Sequence, residues 1–317
     1  MPHSPDGIAR RAAPPALRIA LVSDRLDWHA RELIKALAAA GAHATSLRLE
    51  DCRFETGHPH GLHLPGFAEH LPDAVFVRCL SGGSFEAVTV RLGLLHALRE
   101  SGVPVINDAR AIERCVDKSM TSFLLARAGI RNPATWVTEQ PAVARRIIER
   151  EAANGPLVLK PLFGSQGRNL RLITSPADLP DLNAVAGVYY LQRFAGVERD
   201  GGFRDFRLLV WQGNVIAAMM RHAPHWITNV KRGGRPVAVV ADHAMHELAL
   251  RAAAAVGADL AGVDILYDAH DQPTVLEVNS MPAWSGLQTV TNINIASVIA
   301  SGLRDALASR LVQGVPG

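Results

Sequence analysis

Asp264, within Gly262-Val263-Asp264-Ile265-Leu266, is followed after a short polar link by Leu276-Glu277-Val278-Asn279, so two carboxylates and an amide come from two adjacent extended runs. Hard oxygen ligands of this kind suit magnesium, which leaves its remaining positions to water and substrate phosphates. A nucleotide is the expected companion. Thr274 to Asn279 reads as a strand, whose alternation sends Glu277 and Asn279 to one face and Leu276 and Val278 to the core. Asp268 to Pro273 carries turn signals that fold the Asp264 strand back beside it. A solvent-facing hairpin with exposed acids would show the same pattern.

Two further features fit an anionic ligand. Gly164-Ser165-Gln166-Gly167 lies between strand-like runs, where glycines let the backbone approach a ligand and aim N–H groups at phosphate oxygens. A tight hairpin needs the same glycines. Directly upstream, Lys160 ends the otherwise apolar Leu157-Val158-Leu159, and an ammonium held against a nearly buried sheet implies a bound anion. Lys118, just inside a helix capped by Asp117, reads alone as a surface charge.

These residues need elements to position them, and the chain is long enough to build them. With 317 residues and 48% hydrophobic composition it can bury a large core in two or three domains. The balance of 33 Lys+Arg against 30 Asp+Glu, without a polybasic block, argues against nucleic acid as a partner. No run approaches the roughly 20 apolar residues that span a bilayer, so no membrane role is expected. Cys52, Cys79 and Cys115 are too few and scattered for a disulfide framework or thiolate zinc site, and the cytoplasm is the expected compartment. His58, His60 and His63 read as a surface loop. No Ser/His/Asp or Cys/His arrangement stands out, so hydrolase chemistry has no support.

Residues 1–17 read as a loose tail. From 18 to 107, short β-branched runs alternate with helices at three- and four-residue apolar spacing, which predicts a parallel βαβ unit without a Gly-x-Gly-x-x-Gly or Walker fingerprint. A second unit, 108–191, opens with the Asp117-capped helix, whose Met120, Phe123 and Leu124 share an apolar face. A third, 192–317, contains a predicted hairpin pairing Phe206–Trp211 with Val215–Met220, then a helix after Asp242. The fold class is α/β, with an α+β character in the later units.

In order and spacing, these segments resemble the ATP-grasp superfamily, and within it the RimK-like glutamate ligases. The resemblance rests on Asn107-Asp108 with Asp117-Lys118, then Leu124 to Ile130, then Lys160-Pro161 with Gly164-Ser165-Gln166-Gly167. It continues through Asp205-Phe206-Arg207, Asn229-Val230-Lys231-Arg232-Gly233-Gly234, Ala261 to Leu266, and Glu277-Val278-Asn279-Ser280 with Pro282. It covers about residues 100–300, and the first unit fits the family's pre-ATP-grasp domain.

The resemblance implies an ATP-grasp fold that holds ATP between two antiparallel sheets. It puts Lys118 and Lys160 near the α/β-phosphates, with the 164–167 loop closing over them. Gln192-Arg193-Phe194-Ala195 matches the hinge whose backbone reads the adenine edge, although the family usually has Gln-Glu-aromatic where this chain has Arg193. Glu198 would contact the ribose. Asp264, Glu277 and Asn279 match the ligands of magnesium, with Glu277 able to bridge two ions and Mn2+ able to substitute. Arg221 matches the reaction-centre arginine, although a strand-end surface cation would look the same. Asn229, Lys231 and Arg232 match a basic loop facing the acyl substrate, and a solvated turn is the competing reading.

The activity implied is an ATP- and magnesium-dependent carboxylate–amine ligase working through an acylphosphate. Positioning and cations would do most of the catalysis. The acceptor would be chosen by the first unit and by the segment after Asn279, where Ser280 and Trp284 are candidate substrate contacts; Trp284 reads as a flat wall or as a packing residue. The chain looks most like the bacterial branch that adds L-glutamate to one-carbon carrier cofactors of the tetrahydromethanopterin or methanofuran type. Modification of a protein C-terminus and a silent nucleotide-sensing module are the alternatives. The family also implies a homo-oligomer, a dimer or tetramer.

Overall fold

The computed structural model describes residues 16–164 and 166–312. A parallel sheet comes first, built from Leu17–Val22, Ala42–Leu47, Ala74–Val77 and Val105–Ile106 in the spatial order second, first, third, fourth. Ile19, Ala20 and Leu21 are fully buried, because such a sheet is covered on both faces and its strands read as unbroken apolar runs. One face packs on the helix Phe85–Glu100 through Leu94, Leu95 and Leu98. The other packs on the helices Trp28–Ala39 and Ile295–Val312. Asp27 caps the first of these by accepting from Ala30 N at 2.9 Å. The expected tail lies mostly outside the described residues, and Leu17 already belongs to the first strand.

Two antiparallel sheets follow. The smaller contains Thr135–Thr138, Leu157–Lys160, Arg171–Ile173 and Tyr189–Arg193, with Tyr189–Arg193 pairing both Thr135–Thr138 and Leu157–Lys160. Its back is covered by the helix Pro141–Glu151 through Ala144 and Ile148. The larger is organised on Gly202–Trp211, which pairs with Asn214–Ala223 on one side and Leu260–Tyr267 on the other, with Arg235–Ala238 and Pro273–Asn279 at the edges. The helix His243–Val256 buries Ala249, Ala252 and Val256 against it. Its central hairpin turns on Gln212 and Gly213, both at positive φ, as a two-residue turn requires.

The helix Lys118–Arg127 forms after Asp117 as expected, but of the expected apolar face only Leu124 packs on the core. Thr121 and Leu125 are buried, whereas Met120 and Phe123 are 37% and 55% exposed. The Thr121 hydroxyl donates to Arg114 O at 2.6 Å and Leu125 enters the core beneath His243–Val256. These anchors set the rotation, and local apolar spacing does not.

The parallel sheet and the larger antiparallel sheet share more than surface contact. Ile19, Leu21 and Phe76 of the parallel sheet lie in one core with Leu209, Trp211, Trp284 and Leu287. At the exit of the parallel sheet, buried Asn107 bridges the two strands that carry the acids. Its Nδ2 donates to Leu260 O at 2.7 Å and to Ser280 O, and its Oδ1 accepts from Leu260 N at 2.9 Å. Replacing Asn107 by Ala leaves these buried backbone groups without partners. The expected cost is about 2–3 kcal/mol, read as a lower urea midpoint with an unchanged slope.

Candidate functional site

A cavity of about 340 Å³ opens between the two antiparallel sheets, within the range that takes a nucleotide-sized ligand. Val158 and Lys160 face it from the smaller sheet; Leu266, Leu276, Glu277 and Asn279 face it from the larger, and Lys118 reaches it from its helix.

Pairing across the larger sheet sets Asp264 opposite Glu277 and Gly262 opposite Asn279. A bulge between Asp264 and Ile265 then pairs Ile265 with Val275, so Leu276 is the extra residue. Strict alternation fails there. Val275 and Val278 are the core residues, while Leu276, expected in the core, lines the cavity beside Glu277 and Asn279.

The floor is a buried charge network. Arg207 lies opposite Asp264 and grips both its oxygens, with Nη2 to Oδ2 at 2.7 Å. Arg221 lies opposite Asp205, donates to it from Nε at 2.7 Å, and sits 3.1 Å from Asp264 Oδ2. All four are less than a tenth exposed. Burial alone would raise the Asp264 pKa, but the charges and hydrogen bonds of Arg207 and Arg221 override it and hold the carboxyl at about 2. Burial works against charge on Arg221 too, and the two aspartates more than offset it, keeping the guanidinium above its ordinary value. Arg221 is a residue of the strand Asn214–Ala223 and not a strand-end surface cation.

The expected magnesium ligands fit that ion unequally. Glu277 forms no ion pair among the described residues, and only the Nδ2 of Asn279 is engaged, at 3.5 Å from Gly262 O. Their oxygens are therefore free to bind. Asp264 accepts three N–H contacts out of roughly four positions on a carboxylate, so it has one lone pair left unless an arginine yields. Among the described residues no three His, Cys, Asp or Glu side chains group as a metal site. Two carboxylates and an amide match an ion that completes its shell with phosphate and water.

The cations face these acids. Lys118 Nζ donates to Gly164 O at 2.8 Å and Leu162 O at 3.2 Å, which ties down the entry to the glycine loop. Lys160 Nζ has no hydrogen-bond partner among the described residues. Burial pushes both lysine pKa values down, and Glu277 pulls them partly back. Gly167 has φ of 65°, and a Cβ there would come within 2.5 Å of Asn229 Oδ1, so the loop rests directly on Asn229. Arg232 Nη2 also reaches Gly167 O at 3.3 Å. Ser165 lies outside the described residues.

The other expected site residues divide. Gln192 is buried, with Nε2 donating to Thr135 Oγ1 at 3.0 Å and to the Tyr190 hydroxyl at 3.2 Å. It lines the cavity with Arg193, Phe194 and Ala195. The Arg193 side chain turns away, to the Glu151 carboxylate at 2.5 Å and Gly155 O at 2.7 Å, so only its backbone can serve a ligand. Asn229 and Lys231 line the cavity. Glu198 is exposed in the short strand Glu198–Arg199 and is not among the lining residues. Ser280 is buried behind the wall, its Oγ without a partner among the described residues. Trp284 is fully buried, packed between His29 and Arg78, so it is a core residue and not a substrate-facing wall. Asp205 and Arg207 had been given no role. Charged residues two apart, on either side of Phe206 at the start of the apolar Leu208–Trp211 run, are the signal that exposes them.

Lys160 gives a sharp test. A bound triphosphate favours charged lysines, so nucleotide affinity should fall as pH rises through their depressed pKa values. The free protein should gain stability over that window, because its unfolded chain holds more protons. Lys160→Met should lower ATP affinity at least about tenfold, or 1.4 kcal/mol. The Tm of the free protein should stay level or rise. Calorimetric titration from pH 7 to 10, with thermal melts of both proteins, checks both.

Comparison with known proteins agrees with this geometry. A RimK-like ATP-grasp domain matches residues 115–303. The tetrahydromethanopterin:alpha-L-glutamate ligase of Methanosarcina acetivorans is 31% identical over 90% of this chain and 98% of its own. A probable alpha-L-glutamate ligase of Hahella chejuensis is 35% identical over 80% of this chain and 88% of its own. Among solved structures, the ATP-grasp ligase PsnB, complexed with a precursor variant, Mg and ADP, superposes with a TM-score of 0.68 at 22% identity, covering 94% of this chain and all of that one. The domain match and the extent of these relatives show that the chain belongs to the RimK-like ATP-grasp family of ligases.

Proposed function

We propose that the protein is an ATP- and magnesium-dependent ligase that joins L-glutamate to a carboxylate of a small-molecule one-carbon carrier cofactor of the tetrahydromethanopterin or methanofuran type. The observation that carries the reading is the pairing across the cleft of Lys160, a desolvated ammonium, with Glu277, a carboxylate, neither of which has a hydrogen-bonded or ionic partner among the described residues. Opposite charges held apart by a cavity are satisfied together by a polyphosphate on one side and its cation on the other. The name and length of the Methanosarcina relative support the choice of acceptor.

Lys118 and Lys160 bind the α/β-phosphates, and the loop around Gly167 closes over them with Asn229 and Arg232. Glu277, Asn279 and the remaining lone pair of Asp264 would hold magnesium, which would supply charge neutralisation at the transferred phosphoryl group. Val158, Leu266 and Leu276 form an apolar slot beside the backbone of 192–195, suited to the adenine ring. An acceptor carboxylate oxygen attacks the γ-phosphorus and ADP departs. The glutamate amine then attacks the acyl carbon of the acylphosphate, phosphate leaves, and the amine loses a proton as the amide forms. Arg221 Nη1, which donates no hydrogen bond among the described residues, stabilises charge on the transferred group. Lys231 meets the anionic end of the acceptor.

The second reading, a ligase acting on a protein C-terminus, draws on PsnB, which is solved with peptide precursors. Incubation with ATP, magnesium, labelled glutamate and each acceptor separates the two. Label should enter the small molecule, with one ADP released per glutamate joined; label in protein alone would overturn the acceptor assignment. Chelation with EDTA should abolish ADP release and added magnesium restore it, with Mn2+ able to substitute. ADP release that is absent with every acceptor would favour a silent nucleotide-sensing module.

A further inference from the structure

Pro282, Ala283, Ser285 and Gly286 line the cavity, while Trp284 between them points into the core. The wall stands three residues beyond Asn279. A Cβ on Gly286 would lie 3.4 Å from Val230, so the wall abuts the loop that carries Lys231. Pro282 packs closely on Gly262 and Gly286 lies near Met219 of the larger sheet, while two side chains of the parallel-sheet domain hold the wall's backbone.

His29, in the first turn of the helix Trp28–Ala39, accepts at Nε2 from Trp284 N at 3.1 Å and from Ser285 N at 3.2 Å. Its Nδ1 lies 3.3 Å from Asp27 Oδ2 and its ring meets Trp284 edge-on at 4.8 Å. All three polar contacts are satisfied by one tautomer, with the proton on Nδ1 and a bare Nε2. Asp27, Arg78 and Lys231 are the charged groups that act on the imidazole. Burial, and then the charge of Arg78, lower the His29 pKa and keep that neutral form at neutral pH.

Arg78 follows the strand Ala74–Val77. It donates from Nη1 to Pro282 O at 3.0 Å, and its guanidinium stacks 4.5 Å over the Trp284 ring. It is buried, its Nε has no partner among the described residues, and burial pushes its pKa down to about 10 against a weaker pull from Asp27. A buried guanidinium without a close carboxylate costs folding free energy that an apolar side chain of equal volume would not. Stability therefore does not account for arginine here, whereas its grip on the wall does. Both residues follow the carboxyl ends of adjacent parallel strands, Leu17–Val22 and Ala74–Val77, on either side of the point where strand order reverses. Open α/β sheets present their crevices at such points.

We propose that His29 and Arg78 are positioning residues, which clamp the Pro282–Gly286 wall from the parallel-sheet domain and so set how the acyl acceptor is held. Neither touches substrate. The inference rests on the ligase reading above for the identity of what the wall holds.

The test compares His29→Phe, which keeps a ring against Trp284 but removes the acceptor, with His29→Gln, whose amide oxygen can accept the same two N–H groups. Residue-resolved hydrogen exchange and steady-state kinetics are measured on the full chain. In His29→Phe the Trp284 and Ser285 amides should exchange about tenfold faster and the acceptor KM rise about tenfold, the scale of one lost hydrogen bond. The KM for ATP should stay within about twofold on the same scale. His29→Gln should recover most of both changes, and Arg78→Met should raise the acceptor KM without lowering Tm. Unchanged exchange at the two amides would overturn the clamp whatever the acceptor proves to be. Faster exchange with an unaltered acceptor KM, or a KM for ATP that rises in step, would overturn its role in acceptor binding. A wild type that turns over neither tetrahydromethanopterin, methanofuran nor a peptide ending in glutamate would remove the ligase reading, with the exchange result still deciding the clamp.

Discussion

The pairing of Asp205 with Arg221 and of Asp264 with Arg207, in the nearly buried floor of the cavity, is the constraint on which the site depends. Each pair joins residues directly opposite one another on neighbouring strands, and the 3.1 Å contact from Arg221 to Asp264 ties the pairs into one network. An unpaired charge at such depth is far costlier than a surface one. A register slip of one residue would also turn each side chain to the opposite face. The network therefore fixes Gly202–Trp211, Asn214–Ala223 and Leu260–Tyr267 relative to each other. The bulge after Asp264 then brings Leu276, Glu277 and Asn279 to the cavity together.

Above that paired floor, two charges are left without close partners among the described residues. The arginines and aspartates satisfy one another, whereas Lys160 and Glu277 face a cavity. Burial presses on the Lys160 charge, with only the longer-range pull of Glu277 and Asp264 to offset it. A protein that keeps an ammonium in that state has a site already arranged for an anion, so little reorganisation remains when one arrives. The glycine loop follows the same logic. It is held at its entry by Lys118 and rests against Asn229 at Gly167.

Much of this was readable from residue types and spacing. The closeness of Asp264, Glu277 and Asn279 followed from two short extended runs joined by a turn, and the cationic side followed from a lysine at the end of an apolar strand. What sequence could not supply was direction. Leu276 was assigned to the core because alternation assumes an unbroken pleat, and the bulge breaks it. Met120 and Phe123 were expected inside because helical spacing defines a face but not which partner it meets. Trp284 has an aromatic surface suited to either a ligand or a core, and only the positions of His29 and Arg78, some 200 or more residues earlier, decide between them. Arg193, which departs from the family pattern, is accommodated because its side chain leaves the cleft for Glu151.

The division of labour among the sheets bears on how such a site could change its substrate. The end that carries Lys160 and Glu277 is built from the facing antiparallel sheets, and buried charge fixes the strand register of the larger one. The wall beyond Asn279 is a five-residue turn, three of whose backbone groups are held from the parallel-sheet domain through His29 and Arg78, and whose tryptophan lies in a core shared with that sheet. Substitutions at the carboxyl ends of the first and third parallel strands can therefore reshape the wall while Lys160 and Glu277 stay where they are. An acceptor preference set in this way is separable from the chemistry of phosphoryl transfer, because the two parts of the cleft draw their rigidity from different interactions.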